Sequence, residues 1–248
     1  MAPVALVTGG SRGIGAAAAV LMAEARWDVA ISYRADDAAA REVVKSCQEV
    51  GVSALAVRAD VSVEDDVIAL FSAVDAEFGP MRALVNNAGI VGSATRVDEM
   101  TAGRIERMLA VNVIGSFLCA REALRRMSRR HGGTGGSIVN VSSAAARLGS
   151  PGEYVDYAAS KGAIDTFTLG LAREVAKENV RVNAVRPGLI RTDIHASGGQ
   201  PDRAERLAGG VPMGRAGEAT EVARAIVWLC SDEASYVTGA ILDVSGGR

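Results

Sequence analysis

Tyr157 and Lys161 have side-chain types and a spacing that suit proton transfer. Four residues apart on a helix, they share one face and lie about 6 Å apart along the axis. A phenol with a pKa near 10 is a poor proton relay at neutral pH. An ammonium about 4 Å away would favour the phenolate by roughly 4 kcal/mol, an upper value that desolvation reduces. The pair therefore predicts proton exchange with an alcohol or carbonyl oxygen.

Other polar residues end or interrupt apolar segments. Ser142 and Ser143 follow one Val-rich segment, and the Asn-Asn-Ala-Gly sequence of residues 86–89 follows another. Open α/β sheets bind ligands at the carboxyl ends of their strands, where these residues are predicted to lie. Asn112 interrupts the apolar stretch 109–113 and needs hydrogen-bond partners if it is buried. Taken singly, each serine is equally explained as a helix cap and Asn112 as a structural residue.

A glycine-rich segment, residues 8–15, follows the first predicted strand and precedes an Ala-rich helix. Glycines at such a junction let the chain turn sharply and let backbone amides approach a pyrophosphate, which the helix N-terminus also attracts. The alternative is a glycine turn that binds nothing. Its place between the first strand and the first helix favours dinucleotide binding.

The end of the second predicted strand bears on the choice of cofactor. A carboxylate there would bind the free ribose hydroxyls and repel a 2′-phosphate, but the sequence is Ile-Ser-Tyr-Arg, ending at Arg34. Arg34 and Arg12 can hold a phosphate between their guanidinium groups, which predicts NADP(H). Asp36 and Asp37 follow closely and can pair with Arg34, so NAD(H) stays possible.

The elements that must position these residues alternate along the chain. Short β-branched segments lie at 4–8, 28–33, 54–58, 83–86, 137–142, 181–186 and 241–244. Helical patterns start at Gly13 and cover 36–50, 63–78, 98–130, 154–177 and 218–230. This alternation predicts an α/β fold: a Rossmann-like, doubly wound, mainly parallel seven-stranded sheet with helices on both faces. We expect residues 1–248 to form a single domain.

Residues 188–217 have no clear pattern and contain seven glycines together with Pro201 and Pro212. A long segment of this kind inside a compact domain is usually functional, so it is a candidate substrate lid. The alternative is a surface excursion. Within it, we interpret His195 as a lid contact rather than a second acid.

Composition limits the function classes. Hydrophobic residues make up 49% and aromatic residues 4%, which fits a core of Ala, Val, Leu and Ile. A formal charge of -2 argues against nucleic-acid and anionic-membrane partners and favours a small-molecule substrate. Three cysteines without CxxC spacing indicate reduced thiols, and no metal site is predicted. The first residues contain neither a basic leader nor a long apolar segment, which predicts a cytoplasmic protein.

Together these motifs resemble the short-chain dehydrogenase/reductase (SDR) family, including its glucose dehydrogenase-like and 3-oxoacyl-carrier-protein reductase-like members. Residues 8–15 resemble the cofactor loop of the family, Asp60 and Val61 its adenine-contacting pair, and 86–89 its strand-four signature. The resemblance implies a catalytic tetrad of Asn112, Ser143, Tyr157 and Lys161. It also implies, with Arg34 added from the argument above, a cofactor site formed by Thr8, Gly9, Ser11, Arg12, Gly13, Ile14, Gly15, Arg34, Asp60, Val61, Asn87, Ala88, Gly89, Tyr157, Lys161, Pro187, Gly188 and Thr192.

The resemblance further implies a role for each member of the tetrad. Tyr157 would transfer the proton, Ser143 would bind the substrate oxygen, Lys161 would hold the nicotinamide ribose and lower the pKa of Tyr157, and Asn112 would anchor a water. The spacing from Ser143 to Tyr157 is one residue longer than is usual in the family, which leaves Ser142 as the other candidate serine. The implied activity is NADP(H)-dependent interconversion of a secondary alcohol and a carbonyl.

Two alternative functions remain open. The first is a 3-oxoacyl-carrier-protein reductase, in which Arg125, Arg126, Arg129 and Arg130 would dock an acidic carrier, although basic residues at a helix end are also favoured by the helix dipole. The second is a non-catalytic NADP(H)-binding regulator, since fold alone does not determine function. The helices predicted at 98–130 and 154–177 resemble the dimer-forming pair of the family, and residues 239–247 its C-terminal interface segment, which implies a homotetramer.

Overall fold

Seven parallel strands form the central sheet of the computed structural model, which describes residues 2–248. The described residues form nine strands in all: β1 (Val4–Val7), β2 (Asp28–Tyr33), β3 (Ala54–Arg58), β4 (Ala83–Asn86), β5 (Gly136–Val141), β6 (Val180–Pro187), β7 (Ile190–Arg191), β8 (Gly217–Glu218) and β9 (Ile241–Val244). The sheet has the order β3-β2-β1-β4-β5-β6-β9, and β7 pairs with β8 outside it. The predicted doubly wound α/β fold is confirmed.

Helices cover both faces of the sheet. They are α1 (Gly13–Glu24), α2 (Asp37–Glu49), α3 (Glu64–Phe78), α4 (Ala102–Leu109), α5 (Gly115–Met127), α6 (Ala145–Leu148), α7 (Val155–Val175), α8 (Ile194–Ser197), α9 (Arg203–Leu207) and α10 (Ala219–Cys230). Within residues 2–248, no helix combines the length and apolar character needed to cross a membrane.

The core consists of two apolar layers, one on each side of the sheet. Residues of α1, α2 and α10, such as Met22 and Ile226, fill one layer, and residues of α3, α5 and α7, such as Phe71, fill the other. Strands covered on both faces need apolar side chains at every position, which β1 and β4 supply over nearly their whole length. The cysteines Cys47, Cys119 and Cys230 are all buried and free.

The helix expected at 98–130 is interrupted. A 3₁₀ turn (Val97–Glu99), α4, a π-helical segment (Ala110–Ile114), α5 and a second 3₁₀ turn (Arg129–His131) replace it. The continuous-helix prediction was therefore wrong at these boundaries. Directly after the π-helical segment the chain passes close to Val61, since a Cβ at Gly115 would lie 2.8 Å from Val61 Cγ2.

The candidate lid, residues 188–217, contains more structure than the sequence predicted. It holds β7, α8, α9 and a 3₁₀ turn (Ala208–Gly210), and β8 begins at its last residue. A small apolar cluster of Leu189, Ala204, Val211 and Ala216 stabilises it apart from the two main layers. The segment thus has secondary structure and a small apolar core of its own.

Candidate active site

A cleft of about 420 Å³ opens at the carboxyl edge of the sheet, between β1 and β4. The chain leaves β1 toward β2 and leaves β4 toward β5, on the opposite side, so the connections diverge at this point. Such a divergence is where open α/β sheets bind ligands. The cleft extends from Arg34 at one end to Tyr157 and the candidate lid at the other.

The glycine-rich loop forms one wall of this cleft. Gly9 and Gly13 have φ angles of 62° and 56°, which favour glycine, and a Cβ at Gly9 would lie 2.9 Å from Ala88 Cα. Arg12 is the N-cap of α1, but its side chain caps nothing, and the first turn of α1 contains no acidic residue. The backbone N–H groups at this helix start are therefore available to an anion.

Thr8 and Asn87 connect the loop to the end of β4. Thr8 Oγ1 accepts hydrogen bonds from the backbone N–H groups of Asn87 (3.0 Å) and Ala88 (3.1 Å). Asn87 Nδ2 donates to the carbonyls of Thr8 (3.0 Å) and Gly9 (2.9 Å). Thr8 and Gly15 do not line the cleft, since Thr8 is buried and Gly15 packs against Asn87. They hold the loop in place rather than face a ligand.

Arg34 lies at the far end of the cleft and forms a long ion pair with Asp60. Its Nη1 is 4.0 Å from Asp60 Oδ2, and its side chain is 62% exposed. The pairing with Asp36 or Asp37 that the sequence left open is not found. Asp36 caps α2 by accepting from the Ala39 backbone, and Asp37 accepts from the Tyr33 hydroxyl at 2.6 Å.

Asp60 is held by hydrogen bonds on the floor of this end of the cleft. Its carboxylate accepts from the Ser62 hydroxyl at 2.6 Å and from Arg107 Nη2 at 2.8 Å. Burial raises the pKa of Asp60, but the bonds from Ser62 and Arg107 outweigh that effect and lower the pKa to about 2. The carboxylate is therefore ionised at all physiological pH values.

At the opposite end, Tyr157 and Ser143 face each other across the cleft. Burial raises the pKa of Tyr157, and a hydrogen bond with the Ser143 side chain partly lowers it. Ser142 instead donates its hydroxyl to the Lys161 carbonyl at 3.2 Å and is buried. The geometry thus places Ser143, rather than Ser142, against the tyrosine hydroxyl.

The ammonium of Lys161 is hydrogen-bonded to β5. Its Nζ donates to the Val141 carbonyl at 2.7 Å and lies 5.7 Å from the centre of the Tyr157 ring. The pKa of Tyr157 responds to burial and to Ser143, and the lowering of that pKa by Lys161 stays a prediction. Burial also lowers the pKa of Lys161 itself to about 8, although Asp165 opposes this shift.

Asn112 lies behind the cleft, in the π-helical segment. Its Oδ1 accepts from the Ile90 backbone at 2.8 Å, and its Nδ2 lies within hydrogen-bond distance of the Ile90 carbonyl and of Ser160 Oγ, both at 3.0 Å. A Cβ at Gly89 would lie 3.3 Å from Asn112 Oδ1 and 3.5 Å from Lys161 Nζ, so both side chains flank Gly89. Asn112 therefore supports the wall next to Lys161. Ser160, which the sequence analysis missed, completes this support.

The candidate lid is attached to the loop that precedes α7. Arg203 donates to both carboxylate oxygens of Glu153, at 2.9 and 2.6 Å, and its guanidinium lies 5.1 Å from the centre of the Tyr154 ring. Gln200 Nε2 donates to the Tyr154 hydroxyl at 2.6 Å. His195, half-buried, contacts the Ile190 carbonyl at 2.9 Å, and burial lowers its pKa. Sequence reasoning missed the Glu153–Arg203 pair because its members lie 50 residues apart.

Two of the four arginines considered for carrier docking are engaged elsewhere. Arg125 and Arg126 donate to the buried Glu122, at 2.8 and 3.0 Å, and Arg126 also donates to Asp75. Their charge is therefore largely neutralised within the protein. The expected patch is reduced to Arg129 and Arg130 in the 3₁₀ turn that follows α5.

The residues of the cleft fit a nicotinamide dinucleotide. Gly9 leaves no room for a side chain at the loop, and the start of α1 offers free N–H groups for phosphates. Ser11, Arg12, Gly13, Ile14, Val61, Ala88, Gly89, Pro187, Gly188 and Thr192 also line the cleft, as the sequence predicted. Among residues 2–248, no cluster of three His, Cys, Asp or Glu side chains has a geometry that could hold a metal ion.

Comparison with known proteins gives one family. A family model described as enoyl-(acyl carrier protein) reductase matches residues 9–248. The chain is 56% identical over 245 residues to the uncharacterized oxidoreductase YgfF of Escherichia coli (strain K12), covering 99% of both chains. It is 37% identical over 243 residues to glucose 1-dehydrogenase 2 of Bacillus subtilis (strain 168), covering 98% of this chain and 93% of the relative.

A solved structure gives the same result. The short-chain dehydrogenase/reductase from Serratia marcescens BCRC 10948 superposes with a TM-score of 0.91 at 34% identity, covering 99% of this chain and 97% of that one. Both the sequence match and the fold thus extend over nearly the whole chain. The protein therefore belongs to the short-chain dehydrogenase/reductase family of oxidoreductases, whose members bind NAD or NADP.

Proposed function

We propose that this protein is an NADP(H)-dependent oxidoreductase that interconverts a secondary alcohol and a carbonyl on a small molecule. The observation that carries the proposal is the meeting of Tyr157, Ser143 and Lys161 at one end of a cleft whose other end is the glycine-rich loop. A proton-transferring group thus lies at the far end of a dinucleotide-shaped site. This proposal treats residues 1–248 as one cofactor-binding domain.

Each side chain has a distinct role in the proposed reaction. The nicotinamide cofactor supplies or accepts the hydride when it is bound. Burial keeps Tyr157 protonated at neutral pH, so its hydroxyl is ready to donate a proton to a carbonyl oxygen. Ser143 hydrogen-bonds that oxygen and stabilises the charge that develops on it. Lys161 binds the ribose of the cofactor, and Asn112 supports the wall next to Lys161 and anchors the water of the proton path.

The preference for NADP(H) rests on Arg34. Arg34 directly follows β2, at the position where a carboxylate would select NAD(H). The two nearby aspartates, Asp36 and Asp37, are hydrogen-bonded to Ala39 and Tyr33 instead. Arg34 and Arg12 both line the cleft and offer guanidinium groups to a 2′-phosphate. The remaining cofactor contacts are those that the sequence predicted, except Thr8 and Gly15, which do not line the cleft and instead hold the glycine-rich loop in place.

Residues 188–217 act as the substrate lid in this proposal, because Ile194 and Arg203 line the cleft next to Tyr157.

We also propose a cytoplasmic homotetramer. Exposed apolar side chains on α5 and α7 support association between copies of the chain. Phe117 of α5 stacks on Phe167 of α7 with ring centres 3.8 Å apart, and Phe117 is half-exposed. Leu169 of α7 is also exposed.

The test of the proposed function is NADPH oxidation across sugars, ketones, aldehydes, quinones and short 3-oxoacyl thioesters, with NADH in parallel. We expect turnover with NADPH on at least one carbonyl class. Turnover on 3-oxoacyl thioesters alone would favour the carrier-protein reductase alternative. Cofactor binding without any turnover in either direction would contradict the enzymatic proposal and favour a non-catalytic NADP(H)-binding regulator.

A further inference from the structure

A buried carboxylate lies one helical turn beyond Lys161 on α7. Tyr157, Lys161 and Asp165 follow each other at intervals of four residues and so share one face of the helix. Asp165 is only 7% exposed. Its Oδ2 accepts two hydrogen bonds from Arg186 of β6, from Nε at 2.9 Å and from Nη2 at 2.8 Å. Its Oδ1 is buried and accepts no hydrogen bond within residues 2–248.

The charges continue from Asp165 toward the substrate end of the cleft. Arg186 Nη1 lies 3.7 Å from Asp243 Oδ1 on β9, and Asp243 Oδ2 accepts from Arg147 Nη1 at 2.6 Å. Arg147 belongs to α6, which begins two residues after Ser143. Two carboxylates and two guanidinium groups therefore alternate from the helix of Lys161 to the segment of the candidate catalytic serine.

Apart from Asp165, the groups around the Lys161 ammonium are neutral and do little to stabilise its positive charge. Its ammonium is buried, and its hydrogen-bond partner is the neutral Val141 carbonyl of β5. The groups that face it from the loop after β4 and from the π-helical segment, Gly89 and Asn112, are also neutral. Tyr157, on its own helix, is protonated, so Asp165 is the carboxylate that acts on the ammonium. Arg186 orients this carboxylate and offsets part of its charge.

We propose that Asp165 is a positioning residue: held by Arg186, its carboxylate keeps Lys161 in the ammonium form that binds the cofactor ribose. The proposal rests on the role of Lys161 in the proposed function. Placing the acid on the same face of α7 lets the protein bury a lysine fully and still use its charge near neutral pH. A neutral lysine would lose one donor and its electrostatic attraction to the dinucleotide.

The test compares Asp165→Asn with the wild type in NADPH affinity and in kcat/KM between pH 6 and pH 10. Both NADPH affinity and kcat/KM should decline at alkaline pH as Lys161 loses its proton, and we call this decline the basic limb. In Asp165→Asn the basic limb should shift to lower pH by about one unit, while values at pH 6 stay within a factor of about two of the wild type. Asp165→Glu, which keeps the charge, should restore most of the limb. A basic limb that does not move in folded Asp165→Asn would overturn the proposal.

A matched control is Glu122→Gln. Glu122 is also a buried carboxylate held by arginines, but it lies on α5 and does not line the cleft. Its replacement should lower the melting temperature without moving the limb. If Asp165→Asn does not fold, Arg186→Gln tests the same electrostatics. Without the guanidinium, Asp165 should hold the proton on Lys161 more strongly and move the limb to higher pH, and an unchanged limb would count against the proposal.

Lys161→Met separates this proposal from the proposed function. If Lys161→Met leaves both NADPH affinity and turnover intact, the role of Lys161 fails and Asp165 has nothing to position. If Lys161→Met abolishes turnover while Asp165→Asn keeps the wild-type limb, the proposed function stands and the positioning role of Asp165 alone is wrong.

Discussion

Replacement of Arg34 by alanine tests how the protein distinguishes its two cofactors. The side chain is 62% exposed and lies 4.0 Å from Asp60, whose carboxylate is already bound by Arg107. A hydrogen bond to a charged group contributes roughly 1.5–3 kcal/mol, and solvent exposure puts this one at the low end. A loss of about 1.5 kcal/mol corresponds to roughly tenfold weaker NADPH binding. NADH has no 2′-phosphate, so its affinity should be unchanged.

The assay is kcat/KM for NADPH and NADH in the wild type and in Arg34→Ala, at low and at high salt. The ratio between the two cofactors should fall about tenfold, and less at high salt because screening weakens the contact. Arg41→Ala is the matched control, since Arg41 is an exposed arginine of α2 that pairs with Asp37 and does not line the cleft. Equal weakening of both cofactors, or no change for NADPH, would refute the assignment of Arg34 to the 2′-phosphate.

Three other replacements give distinct results. Asp60→Asn removes a carboxylate whose pKa is lowered to about 2, and this lowered pKa stabilises the fold by about 2 kcal/mol above pH 4. The contribution is lost as the pH falls through 2, so urea unfolding should show a difference from the wild type at pH 7 that shrinks to about a third at pH 2.5. Lys161→Met removes a cation whose pKa is lowered to about 8, so the free energy of unfolding of the mutant at pH 7 should be higher by up to about 3 kcal/mol. This difference in stability should shrink between pH 8 and pH 10.5, and a difference that stays constant would contradict the lowered pKa. Glu153→Gln weakens the attachment of the lid through Arg203 and should raise the substrate KM several-fold while the NADPH affinity stays constant; a changed NADPH affinity alone would argue against a lid.

The sequence was most informative where local pattern and tertiary structure agree. All seven segments predicted as strands belong to the central sheet, because strands buried on both faces must be apolar and β-branched over most of their length. The cofactor loop was recognisable because glycine is needed where the chain has a positive φ, as at Gly9 and Gly13. The four-residue spacing of Tyr157 and Lys161 placed both on one face of α7.

Contacts between distant parts of the chain could not be predicted. The π-helical interruption at 110–114 is followed by the close approach of Gly115 to Val61, and local helical periodicity reveals neither. Likewise, the hydrogen bond from Lys161 to the Val141 carbonyl depends on how α7 packs on β5. The spacing also could not reveal that burial raises the pKa of Tyr157 and that Ser143 offsets part of this rise.

The central claim is that Tyr157 transfers the proton in a hydride-transfer reaction, and Tyr157→Phe tests it most directly. The measurement pairs NADPH binding with turnover on a carbonyl substrate found in the panel. The account predicts NADPH affinity within a factor of about three of the wild type and a turnover lower by at least about 100-fold, since general acid–base catalysis contributes roughly 10²–10⁴-fold. Turnover within about tenfold of the wild type, with cofactor binding intact, would contradict it.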